Sequence, residues 1–385
     1  MSVTTPRGFV AAGGHVGIKA SGAADLAVVA TADGQPVAAA ATFTRNLACA
    51  GPVRVSRRHL ESTGGRISGV VLNSGNANCA TGTDVAVAEE MAALAAEAFG
   101  APSPEHVLVC STGLIGITLD PAPLRSGIAA VAATRSPEGG PAAAEAIMTT
   151  DTVPKTTSVT EGAFTVGGIA KGAAMLAPNM ATMLAVLTTD AQVEPERLQQ
   201  SLGAAVDASF NRVVVDGCTS TNDTVIVLAN GLAGPPPDPD TFDRALAEAC
   251  LSLATQMADD AEGHTKVVRI EITGAATDDE ADRAARKLAA SLLVKCSFYG
   301  SDPYWGRVLS DLGTAGVALD VDAVTVAYGG VVVSRGLAPT GDDASAAAAA
   351  SRFTLACDLG AGDGRAWVIT NDLSHAYVDE NKGTS

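Results

Sequence analysis

Within "AKGAAMLAPNMATMLAVLTTDA" the second half reads as an apolar strand, yet the approach to it is Asn179-Met180-Ala181-Thr182, with Pro178 and Lys171 upstream. A buried strand needs only β-branched and large apolar residues, so this is an unusual way to enter one. A hydroxyl nucleophile can work without histidine if its base is an amine, and the nearest amine is the residue's own α-amino group. That chemistry requires the chain to be cut between Ala181 and Thr182. Thr182 Oγ would attack the Ala181 carbonyl, the acyl group would shift from nitrogen to oxygen, and water would hydrolyse the ester. The freed amine, with a pKa of about 7.7–8.0, is partly neutral near pH 7 and can accept the hydroxyl proton. Ala181 is small enough to leave its carbonyl open. Plain strand packing explains the same threonine.

Other chemistries lack their residues. The histidines (His15, His59, His106, His264, His375) include no pair within one helical turn, so helical and finger-type metal sites are not expected. There is no G-x-S-x-G elbow, no P-loop and no G-x-G-x-x-G after a strand. The seven cysteines stand singly without C-x-x-C spacing, which disfavours a disulfide framework and a zinc site and fits a reducing cytoplasm. A formal charge of −17 argues against a nucleic-acid partner, because phosphate binding needs clustered cations. The start of the chain lacks the charged-then-apolar pattern of an export signal. Nowhere do enough apolar residues run together to span a membrane. No membrane partner is therefore expected.

The elements that must position these residues follow from patterning. Hydrophobic residues make up 47% of the chain and aromatics only 4%, so a core must be built from closely packed Ala, Val and Leu. "LAVVAT", "VAAAATFT" and "ISGVVLNSG" read as early strands, and a helix capped near Thr83 or Asp84 is ended by Gly100. "HVLVCSTGLIG" predicts a buried strand running into a turn at Ser111-Thr112-Gly113. "FTVGGIAKG", "ATMLAVLTTDA", "TNDTVIVLAN" and "TKVVRIEIT" add strands. "RLQQSLGAAVDASFN", "TFDRALAEACLSLATQMADD" and "DDEADRAARKLAASLLVK" add helices. The prolines of "LAGPPPDPD", residues 232–240, mark a linker. Strands and helices throughout imply a layered α/β architecture.

Taken with "IKASGAADLAVV", "TFTRN", "VVLNSGNAN", "CSTGLIG", "AIMTTDTVPK", "DGCTSTNDT", "DAEGHTK", "GSDPYWGRV" and "DLSHAYVDEN", the Thr182 stretch resembles the ornithine acetyltransferase family. This family is also called the bifunctional glutamate N-acetyltransferases of arginine biosynthesis. The blocks keep the family's order over nearly the whole chain. The resemblance implies a four-layered αββα sandwich with a smaller α+β C-terminal lobe from about residue 278. It also implies self-cleavage into an α chain of residues 1–181 and a β chain of residues 182–385, and assembly of two α and two β chains.

Roles carry over by position. Thr182 matches the nucleophile, and Thr112 and Gly113 match the oxyanion-hole pair. Thr149, Lys171, Thr182, Glu262, Asn381 and Ser385 match substrate-binding positions. On the residues alone, Ser-Thr-Gly is better read as an ordinary turn, and the others as solvated polar residues, with Lys171 loop-like, Thr149 a turn cap and Glu262 part of an acidic run. The chain departs from the family pattern at Tyr304, in the order of "NANCATG", and in the short closing "NKGTS", which has no aromatic. The implied activity is ping-pong transfer of the acetyl group of N2-acetylornithine to glutamate through an acetyl-threonine, with acetyl-CoA as a further candidate donor, and the resemblance implies no metal, nucleotide or prosthetic cofactor. A self-processed aminopeptidase or amidohydrolase of related fold, or a non-catalytic binding protein, remains the alternative.

Overall fold

The computed structural model describes residues 1–176 and 183–382. The chain forms two compact units, one of Met1–Asn211 with Cys218–Met257 and one of Arg212–Gly217 with Ala258–Ser385.

The first unit contains two sheets. One has the order β1 (Phe9–Gly14), β2 (Leu26–Thr31), β5 (Gly69–Asn76), β6 (Val107–Leu114), antiparallel except for the parallel β5–β6 pair. The other runs β4 (Arg66–Ile67), β3 (Val37–Phe43), β11 (Thr224–Gly234), β9 (Leu184–Ala191), β8 (Phe164–Lys171), β7 (Lys155–Glu161), with only β11–β9 parallel. Ala27, Val29, Leu72 and Leu108 of the first sheet meet Ile169, Leu184, Val186, Ile226 and Leu228 of the second in one buried core. Alternate residues Val28, Val71 and Val109 point the other way, onto Met91, Ala92 and Ala95 of the helix Asp84–Phe99. The helix Pro195–Asp207 packs on β3, and Phe242 of the helix Pro239–Ala258 meets Phe164 of β8, ring centroids 6.0 Å apart. These layers are the αββα sandwich expected from the resemblance. Alanines at the facing positions let the layers approach closely with few aromatics.

The second unit is built on a mixed sheet of order β10 (Val213–Val214), β17 (Gly364–Asn371), β12 (Val267–Ala275), β16 (Arg352–Asp358), β13 (Thr325–Tyr328), β14 (Val331–Arg335), β15 (Ala338–Pro339). The helix Asp278–Ala289 packs on it through Ala281, Ala285 and Leu288. Because β12 pairs with β16 and β17, this unit resumes at Ala258, ahead of the boundary expected near residue 278.

Three local expectations are corrected. Ser111-Thr112-Gly113 is not a turn: β6 continues to Leu114, paired with β5 across a bulge at Gly75/Asn76. The predicted helix over residues 278–295 is two helices, Asp278–Ala289 and Leu292–Tyr299, because the Ser291 hydroxyl accepts the Val294 N–H and starts a new one. The proline-rich stretch links elements of one unit, since β11 reaches Gly234 and Pro239 already opens the next helix. Among the described residues no helix is long and apolar enough to cross a membrane.

Candidate functional site

Thr112 and Gly113 lie at the end of β6, Thr112 buried and Gly113 exposed. Gly113 has φ +133°, and a Cβ there would sit 2.3 Å from the Gly75 carbonyl carbon, so the paired strand ends admit only glycine. Polar side chains fix this end. Ser111 Oγ donates to Asn73 Oδ1 (2.5 Å), Asn73 Nδ2 donates to Asn76 O (2.9 Å), and Asn222 Nδ2 donates to both Ser111 O (2.9 Å) and Ala77 O (2.6 Å). A bulge beside a left-handed glycine turns backbone N–H groups out of the ladder, which is what an oxyanion receptor requires.

The residue after Asn222 holds a different segment. Asp223 Oδ1 accepts the Met183 N–H at 2.9 Å, and Thr224 N–H donates to Met183 O at 3.2 Å, where β11 begins to pair with β9. Consecutive residues Asn222 and Asp223 therefore tie the chain immediately after Thr182 to the strand that carries Thr112. Ala181, Thr182 and Ser385 themselves lie outside the described residues.

Lys171 is not a loop residue. It is the last residue of β8 and only 2% exposed. Its Nζ stands 3.9 Å from Asp151 Oδ2, while Lys155 Nζ, fully buried, lies 2.6 Å from Asp151 Oδ1. Asp151 also accepts the N–H of Thr149 (3.0 Å) and of Gly172 (2.7 Å), so one carboxylate positions both Thr149 and the end of β8. Burial pushes this carboxyl up, but Lys171, Lys155 and the Gly172 N–H outweigh it and hold the pKa at about 2. Lys19 completes the cluster. Its Nζ donates to Ala24 O (2.8 Å) and to Met148 O (2.7 Å), next to Thr149, and a Cβ on Gly75 would meet its Cγ at 2.9 Å. Strand β5, which pairs with β6, and the Thr149/Lys171 group are thus joined through Lys19. The loop before it is clamped by Asp25, which accepts the N–H groups of Val16, Gly17, Ile18 and Lys19.

Asp151→Asn would leave two buried ammonium groups without their shared counter-charge, and we expect it to cost about 3–5 kcal/mol near neutral pH. The folded-state pKa lies below the ordinary 3.8, so the ionised form favours the fold. That contribution is whole above about pH 4 and is lost as the pH falls through about 2. Denaturant midpoints of the two proteins should converge on acidification; a constant gap would contradict the assignment.

In the second unit Glu262 is buried rather than solvated, and Asn381 Nδ2 donates to its Oε2 at 2.7 Å. Asn381 belongs to the short helix His375–Asn381, whose start is capped by Ser374 Oγ accepting the Tyr377 N–H. A Cβ on Gly263 would lie 2.2 Å from Tyr377 N, so that turn and helix are in direct contact. Glu262 lines a cavity of about 170 Å³ with Asp216, Asp372, Lys295 and Tyr377. Burial lowers the Lys295 pKa to about 8, against the pull of Asp372 and Asp216. The cavity thus brings three carboxylates and the Lys295 ammonium together, with Asp372 already accepting from Thr265 and the Lys266 N–H.

Sequence reasoning missed Lys19, Asp25, Asp151, Lys155, Asn222 and Asp223. A signal existed: each falls inside one of the blocks that carried the resemblance, and Asp151 and Lys155 are four residues apart in "TTDTVPK".

Comparison with known proteins gives one answer. The sequence model of the ArgJ family matches residues 10–383. Similar curated relatives are the arginine biosynthesis bifunctional proteins of Thermobifida fusca, 46% identical over all of both chains, and of Mycobacterium bovis, 47% identical over all of this chain and 96% of that one. Among solved structures, the Bacillus halodurans bifunctional protein is 38% identical, covering 51% of this chain and 96% of that chain with a TM-score of 0.48. The Mycobacterium tuberculosis ornithine acetyltransferase, solved with ornithine, is 46% identical, covering 46% and 94% with a TM-score of 0.44.

Proposed function

The chain belongs to the ArgJ family, and from that premise we propose that it is a glutamate N-acetyltransferase of arginine biosynthesis, moving the acetyl group of N2-acetylornithine to glutamate. After self-cleavage at Ala181-Thr182, Thr182 Oγ attacks the acetyl carbonyl and its own α-amino group takes the proton. Backbone and side-chain donors at Thr112 and Gly113 meet the oxyanion, ornithine departs, and glutamate attacks the acetyl-threonine. The observation that carries this reading is the Asn222-Asp223 pair, which bonds to the Ser111 carbonyl on one side and to the Met183 N–H on the other. An α-carboxylate is proposed to lie beside Lys171, whose ammonium is buried at the end of β8, 3.9 Å from Asp151 Oδ2.

Purified protein given acetylornithine and glutamate should form acetylglutamate, and the same assay with acetyl-CoA tests the second donor. Release of free acetate without dependence on glutamate would favour the hydrolase reading instead.

Glu262 is proposed to meet the side-chain ammonium of ornithine, with Asn381 holding its carboxylate in place. The two substrates share an amino-acid head and differ in side-chain charge, so only a residue that reads the side chain can tell them apart. Glu262→Gln should lower kcat/KM for acetylornithine by an amount equivalent to about 2–5 kcal/mol and affect glutamate less. Equal losses for both substrates would refute that role.

A further inference from the structure

Asp223 is fully buried just ahead of β11, and among the described residues it is the carboxyl group bonded to the residue that follows Thr182. Its Oδ1 accepts the Met183 N–H, while among the described residues Oδ2 has no hydrogen-bond partner. A buried, unpaired carboxyl oxygen is costly, and a fold keeps one where it serves chemistry. Only the Thr182 Cα and carbonyl carbon separate the Met183 nitrogen from the Thr182 nitrogen, the atom that must be protonated when the Ala181-Thr182 bond breaks.

We propose that Asp223 is the acid–base group of self-cleavage, delivering the proton from Oδ2 to the Thr182 nitrogen as the acyl group shifts to Thr182 Oγ. The inference rests on the self-cleavage reading above. The step balances as follows. Thr182 Oγ forms a bond to the Ala181 carbonyl carbon and the carbon–nitrogen bond breaks. The Asp223 proton goes to the leaving nitrogen, and the hydroxyl proton of Thr182 returns to the Asp223 carboxylate. Water then hydrolyses the ester, restoring the Thr182 hydroxyl and leaving a carboxylic acid at Ala181. Asp223 ends as it began.

The surroundings suit a proton-bearing carboxyl. Burial raises its pKa well above the usual range, against the Met183 N–H just ahead of β9, the nearby Ser220 hydroxyl, which makes no hydrogen bond to Oδ2, and the Lys171 ammonium from the end of β8. A neutral Asp223 also leaves the newborn amine of Thr182 free of a carboxylate partner that would hold it as ammonium, so the same group serves the amine's later work as base. The neighbouring Asn222 keeps the oxyanion strand against this point through Ser111 O.

The test uses the full-length chain made by cell-free synthesis, with the appearance of the two fragments timed on denaturing gels over a range of pH. Asp223→Asn has the same shape and is neutral, and its oxygen can still accept the Met183 N–H, but it carries no acidic proton. It should fold with an unchanged thermal transition and be cut at least ~100-fold more slowly than the parent. Cutting of the parent should slow as the pH rises through the raised pKa of Asp223, because the protonated form is the active one. That slope should be missing from whatever residual cutting Asp223→Asn shows. Parent-like cutting by a folded Asp223→Asn would overturn the proposal. So would a parent rate that climbs steadily into the alkaline range, a result that stands even if the variant fails to fold. A parent chain that is never cut would instead defeat the self-cleavage reading on which the proposal rests.

Discussion

Thr182→Ala is expected to remain a single uncut chain and to lose acetyl transfer by at least ~10⁴-fold, because one change removes both the attacking oxygen and the route to a free α-amine. The two losses can be separated. Thr182→Ser keeps a hydroxyl and should retain some cleavage, and whatever fraction is cut should retain some transfer. Denaturing electrophoresis with N-terminal sequencing reads the first effect: the parent should give a fragment beginning Thr182-Met183-Leu184. Rates of acetylglutamate formation read the second. The anchoring of Met183 by Asp223 and Thr224 is independent of the Thr182 side chain, so the Ala variant should unfold like the uncut parent. An intact Ala variant that still transferred acetyl groups would remove Thr182 from the chemistry.

Gly113→Ala carries the second large effect. The backbone there has φ +133°, a region that costs an L-residue roughly 1–3 kcal/mol, and the added methyl would lie 2.3 Å from the Gly75 carbonyl carbon and 2.4 Å from the Asn76 nitrogen. Neither neighbour is a side chain that can rotate away. The strand end must therefore separate from β5, and any donor it presents moves with it. Loss of a single oxyanion donor typically costs about 10²–10³ in rate, and displacement of the strand end should cost at least that. The variant should show both a lowered thermal transition and this loss in kcat/KM for each half-reaction, measured on the folded fraction. Gly116, also in the left-handed region but with open space around its Cβ, is the control: Gly116→Ala should carry some strain but spare transfer. Parent-like transfer by Gly113→Ala would show that the end of β6 holds no part of the reaction.

How far the sequence carries depends on the kind of information each feature needs. The sandwich was legible because strand and helix patterning is local and because the resemblance ran nearly end to end. β6 was misread at its end for a physical reason: Ser-Thr-Gly has turn propensity, but pairing with Gly69–Asn76 across a bulge overrides it, and that pairing is long-range. The break at Ser291 was hidden because residues 278–295 keep helical composition throughout, and only the capping hydroxyl shows where one helix stops. Lys171 and Glu262 were read from composition as solvated, yet both are buried, since each is stabilised by a partner distant in sequence: Asp151 for one, Asn381 for the other. Asp223 is the extreme case. Its neighbours Met183 and Lys171 lie tens of residues away, and nothing within "STNDT" distinguishes a proton carrier from a turn former.

The central claim is that Thr182, exposed as a new N-terminus, carries the acetyl group. Its most direct test is the intact mass of the purified, cleaved protein after brief exposure to acetylornithine without glutamate. The fragment beginning at Thr182 should gain the mass of one acetyl group, located at Thr182 by fragmentation, and glutamate should discharge it as acetylglutamate. An unmodified fragment in protein that nonetheless turns over acetylornithine, or an acetyl group found on any other residue, would contradict the claim.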